Sequence, residues 1–342
     1  MFPLKKLLFL AILFMALLSA CTSKVASPTS SPLPIVSTSK QLSPTSSFQA
    51  SPTSSPFPTT SATPLPSPTA SPTPVTVTSP ATTVPLSGIY ALTMIDPHTG
   101  WGWSQRQDGS SLLLRTTDGG LTWKDVTPPQ PVTADNAHQT AVGFFPDAKS
   151  AWVTYSMAAG YPVPTQPVVW RTVDGGSSWQ ASQPLDITNL SEIYVPSDLQ
   201  FVAGQDGWLL VHVGVGMNHD YVVIYRTSDG GVTWKRIIDP INNDAGIQSC
   251  SKNDMLFTDA THGWLTGDCN GVKAGALLYK PADAGSTWQD VTLPEPASKP
   301  GIFDINASVA CGTYNPFFFS NDLGHLSLNC RDFSGSQITP FY

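Results

Sequence analysis

From Ser87 onward, short apolar runs alternate with clusters of Asp, Gly, Ser and Thr, and no long segment carries apolar residues at helical spacing. The runs recur in a fixed order. An apolar strand is followed by a turn rich in Asp and Gly and then by a strand opened by Trp. These read MIDPHTGWGW (94–103), FFPDAKSAWV (144–153), FVAGQDGWLL (201–210) and LFTDATHGWL (256–265). A loop and a third strand follow, ending in a second phrase: RTTDGGLTW (115–123), RTVDGGSSW (171–179), RTSDGGVTW (226–234) and KPADAGSTW (280–288). Its last residue opens a fourth strand. Trp123, Trp179, Trp234 and Trp288 are 56, 55 and 54 residues apart, so one unit has been duplicated. Four antiparallel strands at a fixed period predict an all-β fold, a β-propeller of four-stranded blades.

A fifth first half, FFSNDLGHLS (318–327), has His325 in place of the tryptophan. QITPFY (337–342) can supply its third strand, but the chain ends before a fourth. The step between successive units, taken back from Trp101, lands on Pro72, where PTPVTV (72–77) alternates in strand fashion. Five blades closed by this stretch are therefore expected, with the propeller spanning 72–342. In the alternative, 72–77 ends the preceding linker and the fifth unit is a remnant.

Ahead of the propeller, residues 1–20 have Lys5 and Lys6, the apolar run Leu7 to Leu18 and small residues, the three regions of a secretory signal. Residues 21–71 are mostly Ser, Thr, Pro and Ala; with too little apolar surface to offset the entropy of ordering, they read as a disordered stalk, O-glycosylated or bare. Leu18-Ser19-Ala20-Cys21 resembles the lipobox of bacterial lipoproteins, which implies cleavage before Cys21 and a lipid anchor on the outer face of the cell membrane. An ordinary signal peptide with an incidental cysteine is the alternative.

Charge narrows the partners. Four of the 17 Lys and Arg precede Ser87 while all 24 acidic residues follow it, so the folded part carries 13 minus 24, or 11 net negative charges. Such a surface repels phosphate backbones, and nucleic acid is not an expected partner.

In the second phrase Asp118, Asp174, Asp229 and Asp283 can accept backbone N–H bonds from their own turns, and the glycines can take positive φ. The phrase resembles the Asp-box, or BNR, repeat. With both halves present the domain is most similar to the photosystem II stability and assembly factor-like branch of BNR propellers. That resemblance implies structural roles for these aspartates and for Trp123, Trp179, Trp234 and Trp288, on the face away from the ligand, and a scaffolding style of function. In the fourth copy Ala284 replaces a glycine, so its turn is expected to be strained or reshaped.

Beyond Cys21, Cys250 and Cys269 are 19 residues apart, as are Cys311 and Cys330, at equivalent places in units four and five. Two intrablade disulfides are expected, and export permits them. A zinc site is the alternative, without a CxxC or Cys-His cluster to support it. No cofactor or metal is expected.

A sialidase shares the repeat, but only six arginines are present, three of them (Arg115, Arg171, Arg226) at one place in successive blades. Glu192 and Glu295 are the sole glutamates, which weakens a paired-glutamate glycosidase. The expectation is a protein without catalytic residues, binding a protein as an envelope scaffold, or alternatively binding glycan at the cell wall; a hydrolase is the third reading. Its binding face is expected in the loops between second and third strands and between blades, with Tyr155, Tyr161, Tyr194, Met217, His219 and Asp220 as candidates.

Overall fold

The computed structural model describes residues 76–338 apart from 79–82, 85–87, 131–138, 158–165, 191–192, 218, 270–275, 305–308, 321–322 and 333–336. Two short strands, β1 (Thr76–Thr78) and β2 (Thr83–Val84), come first. Blade one is β3 (Ala91–Met94), β4 (Gly100–Gln105), β5 (Ser111–Thr116) and β6 (Trp123–Asp125). Blade two is β7 (Gln139–Phe144), β8 (Ala151–Met157), β9 (Val169–Thr172) and β10 (Ser178–Ala181). Blade three is β11 (Val195–Val202), β12 (Asp206–Gly216), β13 (His219–Thr227) and β14 (Lys235–Ile238). Blade four is β15 (Ser251–Phe257), β16 (Gly263–Asp268), β17 (Leu277–Pro281) and β18 (Trp288–Asp290). A partial fifth unit holds β19 (Val309–Thr313), β20 (Phe317–Ser320), β21 (Leu323–His325), β22 (Leu328–Asp332) and β23 (Gln337–Ile338). Every pairing within these blades is antiparallel, and the protein is an all-β propeller.

The core lies between blades. A tryptophan from the second strand of one blade meets a phenylalanine of the next, at Trp101–Phe145, Trp152–Phe201, Trp208–Phe257 and Trp264–Phe318, with ring centroids 5.3, 4.0, 3.8 and 4.7 Å apart. Each such contact shields the facing surfaces of two large rings from water. Arg115, Arg171 and Arg226 lie over Trp101, Trp152 and Trp208 from the third strand of the same blade. Three indoles also donate across the blade junction, Trp101 to the Asp147 carbonyl, Trp152 to Gly230 and Trp208 to Ala284. The repeat thus puts a ring pair, a cation and an indole donor at each of the first three junctions.

In the turn before the fourth strand, Asp118 accepts from the backbone and hydroxyl of Thr122, and Thr116 supplies a further hydroxyl bond. These bonds hold its carboxyl down at about 2. Gly119, Gly175 and Gly230 have φ of 74°, 74° and 72°; Ala284, at the same place, has φ 56°. An L-residue is strained there because Cβ crowds its own backbone.

The stretch expected to close the fifth unit does something else. β1 pairs with β10, Val77 opposite Trp179, and β2 pairs with β6, Val84 opposite Trp123. These strands extend the outer edges of blades two and one; residues 72–75 lie outside the described residues. An outermost strand presents unpaired N–H and C=O groups to any extended segment. Repeat spacing gave no information about which edge is taken. In the fifth unit β23 pairs with β22 as its third strand. Both expected disulfides form, Cys250–Cys269 flanking the β15–β16 hairpin and Cys311–Cys330 directly opposed between β19 and β22.

Candidate functional site

The β12–β13 hairpin is the longest among the described residues and projects at the end opposite the Asp118-type turns. Three register shifts occur at its base. The β11–β12 ladder skips Ser197, the β12–β13 ladder skips Val213, and the β15–β16 ladder skips Asn253 and Asp254. A bulge re-aims side chains that regular pairing would send to one face or the other. Here the result is a polar cluster in the crevice between blades three and four.

In that crevice Ser197 Oγ lies 2.9 Å from His212 Nε2, and His212 Nδ1 lies 2.8 Å from Asp220 Oδ1. The carboxylate fixes the tautomer: Nδ1–H donates to Asp220, which leaves Nε2 to accept from Ser197. Asp220 Oδ2 accepts the Lys252 backbone N–H at 2.9 Å. Lys252, 4% exposed, donates from Nζ to the carbonyls of Asp220, Ser249 and Cys250 at 2.5, 3.2 and 2.9 Å. Its burial lowers the ammonium to about 8. Gln248 braces the same hairpin through both backbone groups of Val222. Ser197 itself is exposed.

On the other side of the hairpin, toward blade two, a groove of about 230 Å³ is lined by Asn189, Leu190, Val213, Tyr221, Arg236 and Asp239 among others. Tyr221 forms its aromatic platform, and His219 stacks alongside at 5.6 Å. Arg236 is anchored by the Thr188 carbonyl at 2.9 Å, and Asp239 by the N–H groups of Ile241 and Asn242, which hold its carboxyl below the usual range despite partial burial.

Three expected face residues are not on that face. Tyr155 is 3% exposed in the core between blades one and two, where its hydroxyl donates to the Pro128 carbonyl, and burial raises it far above the usual phenol range. Tyr194 is 2% exposed among Leu199, Val211 and Tyr225, and it too is raised by burial. Asp220 is buried as the orienting carboxylate described above. Tyr155 lies within β8 and Tyr194 immediately precedes β11, and each ring packs into an apolar cluster instead of meeting water. Met217 at 96% exposure and His219 are on the surface of the hairpin; Tyr161 lies outside the described residues. The reading by residue type missed Ser197, Lys252 and Tyr221. The sole hint was the polar run SKND (251–254) at a strand start.

No family model matches the chain. A xyloglucanase from Paenibacillus sp is 29% identical over 130 residues, which is 38% of this chain and 12% of that protein. Among solved structures, the chain is similar to YCF48 bound to D1 peptide (17% identity, 78% of this chain and 83% of that one, TM-score 0.32). It is also similar to the GH74 enzyme of Niastella koreensis (14%, 74% and 38%, TM-score 0.39) and to the GH74 xyloglucanase of Xanthomonas campestris (15%, 74% and 38%, TM-score 0.35). The expectation of a non-enzyme is corrected by the xyloglucanase relative, whose likeness points to a glycoside hydrolase. Scarcity of glutamate had argued against one, but that count has no bearing on hydrolases whose carboxylates are aspartates.

Proposed function

We propose that this is an exported, polysaccharide-active propeller of glycoside-hydrolase type, held at the cell surface through Cys21. Its sugar chain lies in the groove beside the β12–β13 hairpin. The observation that carries the reading is the groove itself: an exposed aromatic ring, Tyr221, backed by His219, with Asn189, Arg236 and Asp239 at its rim. A flat ring covers the apolar face of a pyranose while amide, guanidinium and carboxylate groups satisfy its hydroxyls. The xyloglucanase relative supports a β-glucan backbone as the polymer, and two disulfides suit an exported location. Retention on xyloglucan in an affinity gel, lost in Tyr221→Ala, and release of reducing ends from the same polymer test it. Equal mobility of the two proteins in gels with and without xyloglucan would reject the groove.

A second reading, a scaffold for a protein partner, is favoured by the exposed row Tyr90, Leu92 and Met94 on the first blade. Crosslinking on intact membranes from a Leu92 position would then capture one discrete partner, and its absence would remove this reading.

A further inference from the structure

Ser197, His212 and Asp220 stand in the order nucleophile, base and orienting carboxylate, with both contacts at hydrogen-bond distance. We infer that this trio is an acyl-transfer site that hydrolyses short-chain carboxylic esters.

Packing does not require the arrangement. Ser197 is the extra residue of a bulge and is open to solvent, so its hydroxyl contributes nothing to the core. Asp220 is held from several directions, by His212 and Lys252 on its carboxylate and by the Gln248 carbonyl on its N–H. The buried Lys252 pins that carboxylate's backbone as well. A fixed acceptor, a ring oriented by it and an accessible hydroxyl at the far nitrogen are the elements an ester hydrolase needs.

The chemistry balances with water as the only co-reactant. Ser197 Oγ forms a bond to the ester carbonyl carbon as its proton passes to His212 Nε2. The C–O bond to the alcohol then breaks, and the leaving alkoxide takes that proton. Water attacks the acyl-serine, gives its proton to Nε2, and the carboxylic acid departs as the proton returns to Ser197. Asp220 acts as a positioning residue, holding the ring through its hydrogen bond to Nδ1.

The test uses the full chain, diisopropyl fluorophosphate and p-nitrophenyl acetate. Mass mapping should find the diisopropylphosphoryl adduct on Ser197, and the adduct should be missing from His212→Gln. Ser197→Ala should lower ester hydrolysis by about 100-fold or more while keeping the parental melting temperature, since the side chain is exposed. A folded wild type without an adduct on Ser197, or Ser197→Ala with wild-type rates, overturns the assignment. Failure of the glycan reading is separately visible: Tyr221→Ala and wild type would then behave alike on xyloglucan while Ser197 still labels.

Discussion

Trp208 lies flat on Phe257 with ring centroids 3.8 Å apart and planes 3° from parallel, while its indole N–H donates to the Ala284 carbonyl in the same neighbouring blade. One side chain therefore joins blade three to both a strand and a turn of blade four. Trp208→Ala should cost about 3–5 kcal/mol, as large buried aromatics do, measured by chemical denaturation. Trp208→Phe should recover part of that loss but leave the Ala284 carbonyl without its donor. A loss under about 1 kcal/mol for Trp208→Ala would show that the blades hold together without this contact.

Ala284 occupies the turn position that glycine fills in the other three blades, with φ at 56°. Ala284→Gly should stabilise the fold by up to about 1 kcal/mol, the relief of left-handed strain less the extra chain entropy of glycine. Gly119→Ala in blade one should destabilise by a similar amount. A melting temperature lowered by Ala284→Gly would contradict the strain assigned to this turn.

Asp198 links blades three and four by accepting the Met255 N–H at 2.7 Å. Burial, opposed by that hydrogen bond and reinforced by Asp254, raises its carboxyl to about 6 from an ordinary value of 3.8. The folded state therefore binds the proton more tightly than the unfolded state. Its ionisation costs stability above about pH 6, and the cost is relieved as pH falls toward 4. At pH 7 the penalty is at most about 3 kcal/mol, two pKa units at about 1.4 kcal/mol each. Asp198→Asn should raise the melting temperature at pH 7.5 and flatten its dependence between about pH 6 and 4. An identical pH profile in the two proteins would refute this.

Val77 pairs with Trp179 and Val84 with Trp123, so two N-terminal strands cover the outer edges of blades two and one. Deleting residues 76–84 should lower the melting temperature by several degrees, about 1–2 kcal/mol in a domain of this size, and promote self-association through the exposed edges. Light scattering of the truncated chain alongside its melt measures both. An unchanged melt with no aggregation would mean that the edges need no cover.

Much of the fold was legible in the chain because the unit is written repeatedly. The Trp of each second strand and the DGG phrase recur in phase, and a period of that length admits few architectures. The cysteine spacing was legible for the same reason, since equal offsets in units four and five put each pair across one hairpin. The candidate site was not. Tyr155 and Tyr194 read as surface aromatics by their neighbours in sequence, yet adjacent blades cover them. Ser197 carried no motif at all.

The sequence alone determined the strands, the turns between them and the blade as a unit, because alternation and turn chemistry act over a few residues and repeat. Only the tertiary structure decided which outer edges residues 76–78 and 83–84 cover and where Ser197, His212 and Asp220 meet. That meeting depends on bulges in two ladders and on a buried lysine from the next blade. A one-residue shift of register changes which side chains share a face while leaving the local pattern of apolar and polar residues the same.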